Sequence, residues 1–156
     1  EFWLAGPARE ARVAWPRIRD LTLRAQRGSD LGARMLGALA AVLSTHERAL
    51  VVGTDCPDID AAYVAAAFDA LDGAEVVLGP AEDGGYGLIG ARRRVLEALP
   101  PLFTDMPWGT DRVLEETLAR SAAAGLTVVM LPVIWDVDTE ADWRRYLDRS
   151  QKRATD

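Results

Sequence analysis

Two short acidic segments carry residue types that suit metal and phosphate chemistry. Gly53-Thr54-Asp55-Cys56-Pro57 follows the apolar run Ala49 to Val52, and Asp136-Val137-Asp138-Thr139 follows a second run that ends at Ile134. Carboxylate oxygens are hard donors. They suit Mg²⁺ or Mn²⁺, ions that keep coordination positions for substrate phosphates. Asp136 and Asp138 are one residue apart, so in an extended chain they point the same way and can face one ion. Each segment also has a purely structural reading. Asp55 can organise the turn that Pro57 closes, and the acids before Thr139 can cap a helix. Alone, neither decides the matter. Together they mark one place, because both sets of acids fall where two sheet strands should end.

Three further clusters could complete such a site. Glu82-Asp83-Gly84-Gly85-Tyr86 lies between two apolar runs. Asp-Gly makes a tight turn, and its glycines also let a ligand approach the backbone. Glu82 or Asp83 could bind hydroxyls or act as a base. Trp108 and Thr110 open a helix, where an indole can stack on a ring and the helix start suits an anion. A core tryptophan beside a capped helix fits them as well. Gln26, Gly28 and Asp30 form a weaker, glycine-spaced group. Cys56 sits beside Asp55, whose charge raises a thiol pKa, so it reads as a small filler. His46 reads as a surface residue. No P-loop and no Gly-x-Gly-x-x-Gly follows a strand.

The composition sets limits. The chain has 156 residues, 49% of them apolar and 27% charged, with a net charge of -6. That length suits one domain with a single core. A basic face for nucleic acid is lacking, so no nucleic-acid partner is expected. No apolar run approaches the roughly 20 residues that span a bilayer, and no basic leader is read at the start. One cysteine permits no intrachain disulfide and suits a reducing compartment, so the expected location is cytoplasmic.

The elements that must position these residues alternate. Phe2 to Ala5, Ala49 to Gly53, Glu75 to Gly79, Gly87 to Gly90 and Leu126 to Val133 read as strands. Asp30 to Ser44, Asp60 to Leu71, Thr110 to Ala124 and a last segment starting at Thr139 read as helices, with Asp30 and the Thr139–Asp142 spacing as caps. Gly6 to Gly28 reads as a surface loop with a helical turn. Strands apolar on both faces predict an α/β fold, with a Rossmann-like, mostly parallel sheet covered by helices on both faces. In such sheets ligands bind beyond the carboxyl ends of the strands.

In this order the segments resemble a family of small bacterial GT-A-like glycosyltransferases, often described as selenodomain-associated transferases. The matching residues are Gln26-x-Gly28-x-Asp30-Leu31-Gly32-x-Arg34-Met35, Gly53 to Pro57, Val77 to Tyr86, Trp108-Gly109-Thr110 and Asp136-Val137-Asp138-Thr139-Glu140-x-Asp142. The resemblance implies one nucleotide-diphospho-sugar transferase domain spanning 1–156. Asp55 and Asp138 would stand at the family's metal positions, with Asp136 beside them. The Glu82 to Tyr86 loop would border the sugar or acceptor, and the substrate would be a nucleotide-sugar or a nucleotide. The family opens with a strand and a basic, glycine-containing loop that embraces the nucleotide. This chain aligns from the family's second strand, so the expectation is a domain lacking an opening unit. A sheet edge exposed in that way would invite a homodimer.

The leading reading is therefore a metal-dependent glycosyltransferase that uses a nucleotide-activated sugar. A nucleotidyltransferase that uses a nucleoside triphosphate shares the same acids. A non-catalytic remnant, serving as a binding or oligomerisation module, is the reading from a different class.

Overall fold

The computed structural model describes residues 1–5 and 21–153. Strand β1 (Phe2–Leu4) pairs in parallel with β2 (Leu23–Ala25) in a small sheet of its own. Helix α1 (Leu31–Leu43) leads into β3 (Arg48–Val52), and α2 (Ala61–Gly73) into β4 (Val76–Pro80). β5 (Tyr86–Arg92) follows, then two short 3₁₀ turns at Arg93–Ala98 and Pro100–Leu102. The chain ends with α3 (Val113–Ala123), β6 (Val128–Met130) and α4 (Glu140–Arg153).

The helix starts have local causes. Asp30 accepts the Ala33 N–H at 2.8 Å, and Asp60 accepts the Tyr63 N–H at 2.9 Å, so α1 and α2 each have a carboxylate N-cap. Thr139 and Asp142 satisfy each other's backbone N–H groups at 3.3 and 2.9 Å, a reciprocal cap for α4. α3 begins at Val113 rather than at Thr110. The Thr110 hydroxyl instead donates to the Pro107 carbonyl at 2.8 Å and organises a turn. Gly125, at φ 68°, follows the end of α3.

The larger sheet has the order β3-β5-β4-β6 and is mixed, not mostly parallel. β4 and β6 pair in parallel, while β5 runs antiparallel to both β3 and β4. The reason is the link between β4 and β5. Only Ala81 to Gly85 separate the two strands. A parallel connection needs about a dozen residues or more, so these strands can only form a hairpin.

Helices do lie on both faces. Leu39 and Leu43 of α1 pack with Val76, Leu78 and Ile89, joined by Leu114 and Leu118 of α3. Ala67 and Leu71 of α2 pack on the opposite face with Val77 and Leu88. Adjacent residues of β4 thus serve opposite faces, as the strand period requires. Truncating Leu78 or Leu88, both fully buried, to Ala would cost about 2–5 kcal/mol.

β3 departs from expectation. Its apolar sequence reads as a strand buried on both faces, yet it is one of the two outer strands of the larger sheet, and Val52 is 37% exposed. Between it and β1 opens a cavity of about 1520 Å³, whose walls include Phe2, Trp3 and Leu4 on one side and Arg48 to Val52 on the other. β2 falls within the stretch read as a loop, and residues 6–20 of that stretch lie outside the described residues. Among the described residues no helix is long and apolar enough to cross a membrane.

Candidate functional site

Three chain segments meet at the end of the larger sheet. The Val137 N–H donates to the Asp55 carbonyl at 3.0 Å, joining the segment after β3 to the one before α4. Ala81 forms a parallel bridge with Ile134, reinforced by bonds from the Ile134 N–H to Pro80 at 2.8 Å and from the Glu82 N–H to Ile134 at 3.0 Å. The Gly53 N–H donates to Gly87 at 2.8 Å, closing the third side. Backbone pairing therefore fixes where the acids begin. Thr54, Asp55, Asp83 and Asp136 all line one end of the cavity.

These acids feel one another. Burial first, then the charges of Asp83, Asp138 and Asp55, raises the Asp136 carboxyl above its ordinary range. The neighbouring Cys56 thiol is pushed up to about 12, chiefly by burial and then by the charge of Asp55, to which it donates at 3.6 Å. A raised thiol is a poorer nucleophile at neutral pH. Its role is spatial, since a Cβ on Gly87 would stand only 2.4 Å from the Cys56 sulfur.

The glycine loop presents its two acids differently. Asp83 accepts the Gly85 N–H at 2.8 Å and stays at the cavity wall. Glu82 turns away, and Arg145 takes both of its oxygens at 2.7 and 2.8 Å, holding the carboxyl below its usual range. Gly84 has φ +87° and lies against the backbone of Asp111, and its carbonyl accepts the Leu114 N–H at 2.9 Å. The loop is thereby fastened to the start of α3.

Trp108 forms part of the cavity wall and meets Tyr86 edge to face, with ring centroids 6.3 Å apart. Its indole lies so close to Gly32 that a Cβ there would come within 2.9 Å of it. Burial raises the Tyr86 phenol, which lies beside Thr117.

The structure thus gathers Gln26, Thr54, Asp55, Asp83, Gly85, Tyr86, Trp108, Thr110 and Asp136 around one cavity. Gly28, Asp30, Glu82, Gly84 and Asp138 are not on its wall. Asp30 is occupied as the α1 cap, with its carboxyl lowered by the Ala33 N–H and the Ser29 hydroxyl. Gly28, at φ 144°, lies against Ala33. Asp138 is exposed, next to Asp136. Arg34, part of the matching motif but given no site role from the sequence, lines the cavity. Its place in the first turn after the Asp30 cap was the available signal. Arg145, Arg149 and Trp135 were passed over, and no local spacing marks them.

The donor set can be tested against a cation. Among the described residues no three acidic, histidine or cysteine side chains are gathered tightly enough to hold a metal alone. One or two carboxylates plus water and substrate phosphate is the arrangement Mg²⁺ and Mn²⁺ accept. Asp55 and Asp136, hard oxygen donors on one cavity wall, fit that description.

The sequence profile of a bacterial family, described as "Uncharacterized protein conserved in bacteria (DUF2064)", matches residues 1–110. The chain belongs to this family. Asp55, Glu82 and Asp83 lie within the matched part of the DUF2064 sequence, and Asp136 and Asp138 lie beyond it. The fold resembles a crystal structure from Desulfovibrio desulfuricans G20, whose protein is described as a "putative nucleotide-diphospho-sugar transferase". The two agree with a TM-score of 0.75 and 36% identity over 86% of this chain. This DUF2064 chain spans 58% of the length of that protein. No curated protein matches it. Both findings support the resemblance to nucleotide-diphospho-sugar transferases drawn from the motifs.

Proposed function

We propose that the chain carries the acidic residues of a metal-dependent glycosyltransferase site for a nucleotide-activated sugar. The observation that carries this reading is the 3.0 Å bond from the Val137 N–H to the Asp55 carbonyl, which sets Asp55 and Asp136 at one rim of the cavity. Two acids held there against mutual repulsion are suited to share a cation.

A bound Mg²⁺ or Mn²⁺ would neutralise charge on the leaving diphosphate. Asp55 and Asp136 would hold it, with Asp138 adding negative charge from just outside. Asp83 stands on the same wall, already oriented by the Gly85 N–H, and accepts the proton of the acceptor hydroxyl. Trp108 offers an apolar face to a ring, and Arg34 offers a guanidinium to phosphate oxygens. Glu82 is committed to Arg145 and takes no part in proton transfer.

Calorimetry with nucleoside diphosphates, diphospho-sugars and triphosphates, with and without Mn²⁺, tests the reading. Diphospho-sugar binding that requires Mn²⁺ and is lost in Asp55→Ala and Asp136→Ala supports it. Mn²⁺-dependent binding of triphosphates alone moves the assignment to nucleotidyl transfer. Failure of every nucleotide to bind leaves the chain as a binding or oligomerisation module.

A further inference from the structure

We propose that α4 is a clamp that sets the spacing of the three acid-bearing segments, with Arg145 and Arg149 as its positioning residues. The proposal rests on the transferase reading for what the acids do, but the clamp itself is a matter of contacts. Arg145 holds Glu82 through a two-pronged ion pair at 2.7 and 2.8 Å. Its guanidinium also lies 4.2 Å from the centroid of the Trp135 ring. Four residues on, and so on the same helix face, Arg149 meets both oxygens of Asp58 at 3.2 and 3.1 Å. Arg149 lies 5.5 Å from the same ring.

Each contacted residue neighbours an acid. Glu82 directly precedes Asp83, Trp135 directly precedes Asp136, and Asp58 follows Asp55 by three positions. The three segments that carry the acids are therefore tied to one rigid helix through one tryptophan. Trp135 is 2% exposed with the two arginines over its ring.

Charge and geometry explain why such a device is useful. The charges of Asp83, Asp138 and Asp55 act against the Asp136 carboxylate, and the side-chain clamp adds to the backbone bonds that already join the three segments. The Arg145–Glu82 pair is half exposed, at 39% and 53%, so it adds little to global stability. A planar fork fixes direction as well as distance, which a lysine cannot reproduce. Arg144 provides the control. Its pair with Glu140, at 2.6 Å, stays within α4 and touches no acid-bearing segment.

The test compares Mn²⁺ uptake by electron paramagnetic resonance with backbone hydrogen exchange by mass spectrometry. The variants are Arg145→Gln, Arg145→Gln/Arg149→Gln, Arg145→Lys, Glu82→Gln and Arg144→Gln, all on the full chain. The clamp predicts about tenfold weaker Mn²⁺ binding in the double variant, with a thermal midpoint near wild type. Exchange should rise together at 54–58, 82–85 and 135–138. Glu82→Gln should reproduce the single-arginine effect from the other end of the fork, Arg145→Lys should restore little of it, and Arg144→Gln should change nothing. Unchanged affinity and exchange in the double variant would overturn the proposal, as would an equal loss in Arg144→Gln. If the wild type takes up no Mn²⁺, the transferase reading falls and exchange alone decides. A concerted rise at the three segments then sustains the clamp, and no rise rejects it.

Discussion

Gly84 and Asp111 touch backbone to backbone: a Cβ on Gly84 would stand 2.3 Å from the Asp111 carbonyl oxygen. Gly84 also has φ +87°, where side chains are strained. Gly84→Ala combines strain with overlap and should cost about 2–4 kcal/mol. Gly125 has a similar φ of 68° with open space around it. Gly125→Ala should therefore cost only the strain, about 1 kcal/mol. Urea unfolding of the two variants separates the contributions, and equal losses would mean that the loop does not press on Asp111.

Gly32→Ala should reverse the usual order of helix propensities. Alanine in place of a helical glycine ordinarily stabilises by about 1 kcal/mol. Here the added methyl would lie 2.2 Å from the Phe103 carbonyl oxygen and 2.9 Å from the Trp108 ring. The expected result is a loss of about 1–3 kcal/mol, together with a shift in tryptophan fluorescence as Trp108 is displaced. Thermal melts and emission spectra of this single variant provide the check.

Asp136→Asn should make the metal-free protein more stable while destroying binding. The native Asp136 carboxyl is raised from 3.8 by burial and by the charges of Asp83, Asp138 and Asp55. A raised acid binds its proton more tightly in the folded state. Folding therefore loses stability as pH rises from 3.8 through the raised value. Asn removes that loss. The gain at neutral pH should be small, since solvent screens much of the repulsion, and it should vanish below pH 3.8. Melts of wild type and variant across this range read the sign directly.

Glu75 should behave in the opposite sense. The Thr127 hydroxyl and N–H donate to its carboxylate, Arg94 pairs with it at 2.5 Å, and its pKa is lowered from 4.5 to about 2. A depressed acid contributes stability that is complete above 4.5 and is lost as pH falls to about 2. Glu75→Gln should therefore melt below wild type at neutral pH, and the gap should close over that acid range. A gap independent of pH would show that packing, rather than charge, holds the entries of β4 and β6 together.

Much of this architecture was legible in the residues. α1 and α4 announce themselves through the Asp30 and Thr139 caps, and α2 through its apolar stripe, signals that are all local. The meeting of the Asp55 and Asp136 segments follows from both lying after strands whose ends face one way. Which acid of the Asp136–Asp138 pair would reach the wall was not legible. Alternation sends both the same way from an extended chain, but the turn into α4 leaves Asp138 exposed. The mixed sheet could have been read from the five residues between β4 and β5, had their number been weighed above the apolar character of the strands. β3 defeated the reading because apolar content does not tell a central strand from one that borders a cavity. β2, with only Leu-Arg-Ala, carries no pattern. Arg145 and Arg149 were hidden for a different reason. Their partners lie 63 and 91 residues away, and only the folded chain brings them together.

Paramagnetic broadening by Mn²⁺ tests most directly whether Asp55 and Asp136 share one cation, with Asp83 on the same wall. Substoichiometric Mn²⁺, added to ¹⁵N-labelled protein, should broaden the amide signals of Asp55, Asp83, Asp136 and Val137 together, before those of the exposed acids Glu115 and Glu140. The broadening should disappear in Asp55→Asn. If the ion instead broadens only one of these segments, or scatters over surface acids with no preference, the shared site does not exist.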